Sequence, residues 1–248
     1  MSFVAVRRDS GIATVVLERG KVNALNPAVV EELSAAFQTL RGDAAAHAVI
    51  LTGSGRFFSF GFDIPEFLSY TREAFTDYVT NFTTLYRNLF MCPKPVVAAL
   101  NGHAVAAGCM LALACDRAIV AHGGAKIALN EIAFGSSVFA GSTEMLQFRV
   151  GSRASDVVYS GQMYSPAEAQ EIGLVAEVVA PESLLDRARE IAGEMASKRP
   201  AAFASIKSLL RKPIAGAMAA REAASVDEFV DIWYSEPTWT NLKNITIR

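Results

Sequence analysis

The stretch from Val96 to Cys115 constrains the fold more than any other part of the chain. It is apolar and small-sided throughout, apart from a break at Asn101-Gly102-His103. The break leaves Ala104–Cys115 uninterrupted, about half of the roughly 20 residues a membrane span requires. The stretch must therefore be buried in protein, as a strand over Val96–Leu100, a turn, and a small-residue helix beginning near Ala106. A host able to bury it needs a large core, and a chain of 248 residues, 52% hydrophobic and 19% charged, can supply one.

The remaining segments follow the same alternation. Residues 3–8 and 12–17 read as strands around the turn Asp9-Ser10-Gly11. Asn26 caps a helix whose first residue is Pro27, with Val29, Val30, Leu33, Phe37 and Leu40 at helical spacing. Strands are expected at Ala48–Thr52, Arg117–Ala121 and Leu174–Val179, with a capping box at Ser165-Pro166-Ala167-Glu168 and a helix stop at Gly173. Beyond about residue 182 the pattern is helical only. One helix ends at Pro200, a second runs to Pro213, and a last carries Met218, Val226, Phe229, Val230 and Trp233. The reading is an α/β fold with buried sheets over residues 1–195 and a helical region over 196–248 for oligomer contacts.

The net charge of -2 gives no general attraction to nucleic acid. Cys92, Cys109 and Cys115 have neither a disulfide framework nor metal-ligand spacing, so buried free thiols and no metal site are expected. The opening MSFVAVRRDS has no signal-like apolar core, and a cytoplasmic location is expected. His47, His103 and His122 lack spaced partners, and the serines near Gly135 and Gly141 form no nucleophile elbow.

Three segments carry the candidate chemistry. In Phe57–Ile64 a glycine among aromatic residues precedes Asp63, which gives a tight turn into a helix with free N–H groups; an apolar loop with a helix cap reads the same way. In Asn101–Met110 small residues let a helix N-terminus approach a ligand oxyanion, or pack closely on a sheet. In Ile127-Ala128-Leu129-Asn130-Glu131-Ile132 a carboxylate interrupts an apolar run. Buried without a partner it would titrate near neutrality and could both accept and donate a proton; paired or facing water it would do neither.

Taken in order, these segments resemble the crotonase (enoyl-CoA hydratase/isomerase) superfamily over nearly the whole chain. The matching pieces are Lys21–Leu25, Phe58–Ile64, Asn101–Cys109, Cys115-Asp116 and Ser160–Val175. The resemblance implies a spiral of ββα units and an acyl-CoA thioester as substrate in fatty acid metabolism, with no separate cofactor. It implies an oxyanion hole from the backbone N–H groups of Phe62 and Ala107. Val22, Ala24, Phe60, Gly61, Asp63, Ile64, Gly108, Met110 and Asn130 would contact substrate or coenzyme A, and a homotrimer or hexamer is expected. Lys207 and Lys243 are candidates for the coenzyme's phosphates, while Trp233, Tyr234 and Trp239 fit either an oligomer contact or the core.

Hydratases of this family carry two glutamates. Here Met110 stands at the first position and Glu131 at the second. Hydration divides its work between two carboxylates, whereas moving a double bond from position 3 to position 2 needs one base. The Met110 and Asn130-Glu131 segments, with the region from Arg221 to Phe229, resemble the Δ3,Δ2-enoyl-CoA isomerases. The expectation is thus a single-glutamate isomerase. The alternatives are a hydratase, another enolate-forming lyase, or a non-catalytic acyl-CoA-binding protein.

Overall fold

The computed structural model describes residues 2–245. The chain opens with the hairpin β1 (Val4–Asp9) and β2 (Ile12–Leu17), whose turn places Ser10 and Gly11 at positive φ. Helix α1 (Pro27–Gly42) starts as its sequence predicts, with Asn26 Oδ1 accepting from the Val29 amide. Three strand pairs then follow: β3 (Ala48–Gly53) with β4 (Phe57–Ser59), β5 (Val96–Leu100) with β6 (His103–Val105), and β7 (Arg117–Ala121) with β8 (Ile127–Ala128). After β4 come α2 (Ile64–Phe67) and α3 (Arg72–Phe90); after β6 comes α4 (Ala107–Ala114); after β8 comes a 3-10 turn, Glu131–Phe134. The remainder is α5 (Ala140–Val150), α6 (Ala154–Ser160), α7 (Pro166–Glu171), β9 (Glu177–Val179), α8 (Leu184–Ala196), α9 (Pro200–Trp233) and α10 (Glu236–Lys243).

The first strand of each pair joins a six-stranded sheet, β1-β2-β3-β5-β7-β9, parallel except for the hairpin. The second strand of each joins a small all-parallel sheet, β4-β6-β8. This is the expected ββα spiral. Both faces of the large sheet are covered, which is why its strands read as continuous apolar runs rather than alternating ones. Val49, Leu51, Val96, Ala98 and Leu100 face the main core. Ala48, Ile50, Val97 and Ala99 face α8, which answers with Leu184, Ala188, Ile191 and Ala192 from one helical stripe.

Two sequence expectations need correction. Pro213 does not end a helix, because α9 runs through it for 34 residues. The carbonyl deprived of its N–H partner belongs to Leu209, four residues earlier, and Leu209 is 75% exposed, so water can serve it. Leu174–Val179 is strand only over Glu177–Val179, since Leu174 and Val175 close the end of α7 through bonds to Ala169.

Helix α9 packs its second half on α3 and α5. Its first half is anchored by charge. The Asp116 carboxylate meets Lys207 Nζ at 2.7 Å and Arg211 Nη2 at 3.0 Å, and accepts from the Val96 amide at 2.7 Å, all deeply buried. Arg211 also donates to the carbonyls of Phe90 and Ala114. Cys92, Cys109 and Cys115 are buried free thiols, and burial pushes Cys109 and Cys115 up to about 12.

Candidate active site

The small sheet delivers the site. Its three strands are parallel, and the carboxyl end of each opens onto one cavity, the usual place for a ligand in open α/β sheets. β4 leads to Phe62, β6 to Ala107 and β8 to Glu131, three residues far apart in sequence. The cavity has a volume of about 310 Å³, and its walls include Phe60, Ile64, Met110, Phe139, Phe229 and Trp233.

The turn after β4 is tied down by its amides. The Phe60 N–H donates to Val22 O at 3.0 Å, Gly61 N–H to Ser59 Oγ at 3.2 Å, and Asp63 N–H to Leu25 O at 3.1 Å. The Phe62 N–H has no acceptor among the described residues. Buried Asn23, at φ 49°, holds the neighbouring loop through its side chain to Phe57 O at 2.8 Å and Ser54 O at 3.1 Å.

The turn after β6 leaves a matching donor. Ala106 sits at φ 50°, ψ -123°, a strained setting for a residue with a side chain, and α4 starts at the next residue with no side-chain cap. The Ala107 N–H is therefore one of the orphan donors of a helix start. The two turns touch through glycines. A methyl added at Gly61 would lie 3.3 Å from Ala107 N, and one at Gly108 would lie 2.3 Å from Ser59 O. Small residues here serve close backbone approach, and that approach brings two free amides to one wall.

Glu131 opens the 3-10 turn after β8, is 4% exposed, and its Oε2 has no partner among the described residues. Burial pushes its pKa up to about 8. The turn is held from outside by α10, since Thr238 Oγ1 donates to Gly135 O at 2.6 Å and Asn241 Nδ2 to Phe134 O at 3.1 Å. Met110, 1% exposed, lines the same cavity, and Glu131 is the one ionisable side chain among the described residues of its walls.

Of the residues singled out from sequence, Phe60, Phe62, Ile64, Ala107, Met110, Asn130 and Glu131 line the cavity. Val22, Ala24, Gly61, Asp63 and Gly108 do not, and they support the turns instead. Asp63 pairs with Arg19 at 2.6 Å and accepts from the Glu66 amide at the start of α2. Lys207 cannot meet a phosphate, because it is buried against Asp116. Trp233 is core, 1% exposed, while Tyr234 and Trp239 are half-buried and stacked at 5.0 Å. Sequence reasoning missed Phe139, Ser136 and the cavity-facing role of α9; Phe229 and Trp233, four apart on one helix, were the available signal. His103 stacks on Phe57 at 4.8 Å outside the cavity walls.

Among the described residues no cluster of His, Cys, Asp and Glu could hold a metal, and no helix is long and apolar enough to cross a membrane.

A parallel three-stranded sheet thus brings two free amides and a buried carboxyl to one cavity. Comparison with known proteins makes the class specific. The family model for enoyl-CoA hydratase/isomerase matches residues 7–236. A 2,3-dehydroadipyl-CoA hydratase from Escherichia coli is 35% identical over 216 residues, covering 86% of this chain and 83% of that one. A short-chain-enoyl-CoA hydratase from Clostridium acetobutylicum is 32% identical over 215 residues, covering 86% and 82%. The crystal structure of human mitochondrial delta3-delta2-enoyl-CoA isomerase superposes with a TM-score of 0.91 at 28% identity, over 98% of this chain and 96% of that one. The chain belongs to the enoyl-CoA hydratase/isomerase family.

Proposed function

We propose that this enzyme isomerises 3-enoyl-CoA to 2-trans-enoyl-CoA with Glu131 as its sole proton carrier. The observation that carries the reading is Glu131, the single ionisable side chain among the described residues of the cavity walls, with apolar Met110 at the position where the family's hydratases have a second glutamate. The Glu131 carboxylate takes a proton from C2. The electrons move into the thioester carbonyl to give a dienolate, whose oxygen accepts from the Phe62 and Ala107 N–H groups. The resulting carboxylic acid returns the proton at C4, leaving the double bond at position 2 and the enzyme as it began. A residue that must work in both directions is best with a pKa near the working pH, which suits burial to about 8. Each amide donor is worth about 2.7–4 kcal/mol in the transition state.

Coenzyme A lies along the Lys21–Leu25 loop and the Phe60–Ile64 turn in this reading, with Val22, Ala24, Gly61, Asp63 and Gly108 shaping its path. The thioester is the substrate, and the reaction calls for no further cofactor. The enzyme assembles as a homotrimer or hexamer, supported by the exposed Ile206, Leu209 and Leu210 on α9.

Hydration is the second reading, favoured by the hydratase names of the relatives above. Turnover of 3-hexenoyl-CoA against crotonyl-CoA separates the two, since an isomerase acts on the first and a hydratase on the second. Glu131→Gln should lower 3-hexenoyl-CoA turnover by about 10²–10⁴-fold, and unchanged turnover would remove Glu131 from the mechanism. Met110→Glu should introduce hydration of crotonyl-CoA.

A further inference from the structure

Proton transfer by Glu131 leaves a second buried carboxyl without a role. Glu222 on α9 is 8% exposed, and its Oε2 has no hydrogen-bond partner among the described residues. Burial raises its pKa above the ordinary glutamate value. Its Oε1 accepts from the hydroxyl of Tyr86, a wholly buried residue of α3, at 2.5 Å. A carboxyl is costly in such a place, and an apolar side chain would fill the space more favourably. Neither Tyr86 nor Glu222 lines the cavity.

The pair stands behind the cavity's inner wall. Of the described wall residues, Phe60, Ala133 and Phe134 open to solvent, whereas Met110, Phe139, Phe229 and Trp233 are at most 2% exposed. The cavity is therefore open beside the first group and sealed by the second. The seal is a stack of rings. Phe139 lies 4.3 Å from Phe229, and Phe62 lies 6.4 Å from Phe139 and 5.1 Å from Phe82. Phe82 backs this stack from α3, and Tyr86 follows one helical turn later, its ring 5.5 Å from that of Phe82. The pair also meets the start of α5. Gly141 comes two residues after Phe139, and a methyl there would sit 2.5 Å from the Tyr86 hydroxyl and 2.6 Å from Glu222 Oε2. Ser225 accepts from the Ala140 amide at 3.0 Å and donates to Glu222 O at 2.9 Å. Glu222 and Phe229 lie two turns apart on one face of α9. The helices that carry Phe82, Phe139 and Phe229 thus converge on one buried hydrogen bond.

We propose that the Tyr86–Glu222 pair is a positioning device that fixes the inner wall of the acyl cavity and so confines the enzyme to short and medium acyl chains. At about 310 Å³ the cavity is at the small end of the range for ligand sites, roughly 300–1,000 Å³. A close-packed wall yields only when space opens behind it. Removing the Glu222 side chain opens that space, so the rings can retreat and a longer chain can enter. The proposal rests on the acyl-CoA reading of the site but not on which reaction follows. Its test is therefore calorimetry with saturated butanoyl-, hexanoyl-, octanoyl-, decanoyl- and hexadecanoyl-CoA, held below micelle-forming concentrations.

In the wild type each added methylene should tighten binding by up to about 4-fold, and the gain should stop before hexadecanoyl-CoA. In Glu222→Ala the ratio of hexadecanoyl-CoA to butanoyl-CoA affinity should rise by at least about 4-fold, the worth of one further methylene. Tyr86→Phe, which leaves the carboxyl without its donor, should move the ratio the same way. Glu222→Gln keeps an acceptor for the Tyr86 hydroxyl and should keep the wild-type ratio. A role in stability alone would leave the ratio unchanged in all three variants, and that result would overturn the proposal. So would a ratio raised as far in Glu222→Gln as in Glu222→Ala. Wild-type binding that tightens all the way to hexadecanoyl-CoA would overturn it whether or not the variants fold. Failure to bind any ester would remove the acyl-CoA reading and this proposal with it. A protein that shows the length limit yet turns over no 3-enoyl-CoA would remove the isomerase reading and leave this one standing.

Discussion

At the scale of single residues, the decisive one is a carboxyl raised by burial. Its folded pKa of about 8 lies above the ordinary glutamate value of 4.5. In the unfolded chain Glu131 ionises near 4.5, whereas in the folded protein it stays protonated until about pH 8. The unfolded state therefore sheds its proton first, and this residue's contribution to stability is complete below about 4.5 and lost as pH rises through 8. Glu131→Gln should accordingly melt at least about 2 °C higher than wild type at pH 9, with the gap closing toward pH 5, as thermal unfolding across that range would read. The same titration should shape catalysis, with kcat/KM rising with pH and levelling above about 8. The glycines act by absence of a side chain. Gly108→Ala would drive a methyl into Ser59 O at 2.3 Å, separating the two turns, and should cost about 1–3 kcal/mol of stability together with most of the 3-hexenoyl-CoA turnover. Glu131 was legible because a carboxylate stands out in an apolar run. Ser136 and Trp233 were not legible as cavity residues, because a lone serine and a helical tryptophan look alike whether they lie in a core or beside a cavity.

Among the elements, legibility followed length. β1, β2, β3, β5 and β7 are five or six residues long and rich in branched side chains, so their pattern was visible and their bounds nearly right. The small sheet was invisible as a sheet, since β4, β6 and β8 are two or three residues each, too short for any period. Yet these strands aim Phe62, Ala107 and Glu131 at one cavity, so the residues singled out by their segments come together on a scaffold that left no trace in the sequence. α9 was cut in two at Pro213 because propensity is local, while what keeps the helix continuous is tertiary: charge at one end and aromatic packing at the other. The charged end can be tested. Asp116→Ala would strand Lys207 and Arg211 as buried cations without their anion, at a cost of about 3–5 kcal/mol. Urea unfolding should show this as a lowered midpoint at unchanged slope.

For the whole molecule, one helix serves two duties. The first half of α9 leaves Ile206, Leu209 and Leu210 exposed at 60%, 75% and 59%, while its second half lines the cavity with Phe229 and Trp233. Substituting Leu209 and Leu210 together by Glu should lower the mass seen by sedimentation toward a monomer, and unchanged mass would move the proposed subunit contact elsewhere. The sequence held no sign of which apolar residues of α9 face outward, since exposure is decided by what α3 and α5 cover. The three native thiols bring a practical consequence. All are shielded from solvent, and two are held protonated far above working pH, so maleimide reagents should find almost no target in the native protein. A cysteine placed at Tyr159 on α6, 76% exposed, would then be its one reactive handle, and the wild-type chain is a ready-made background for attaching a single spectroscopic probe.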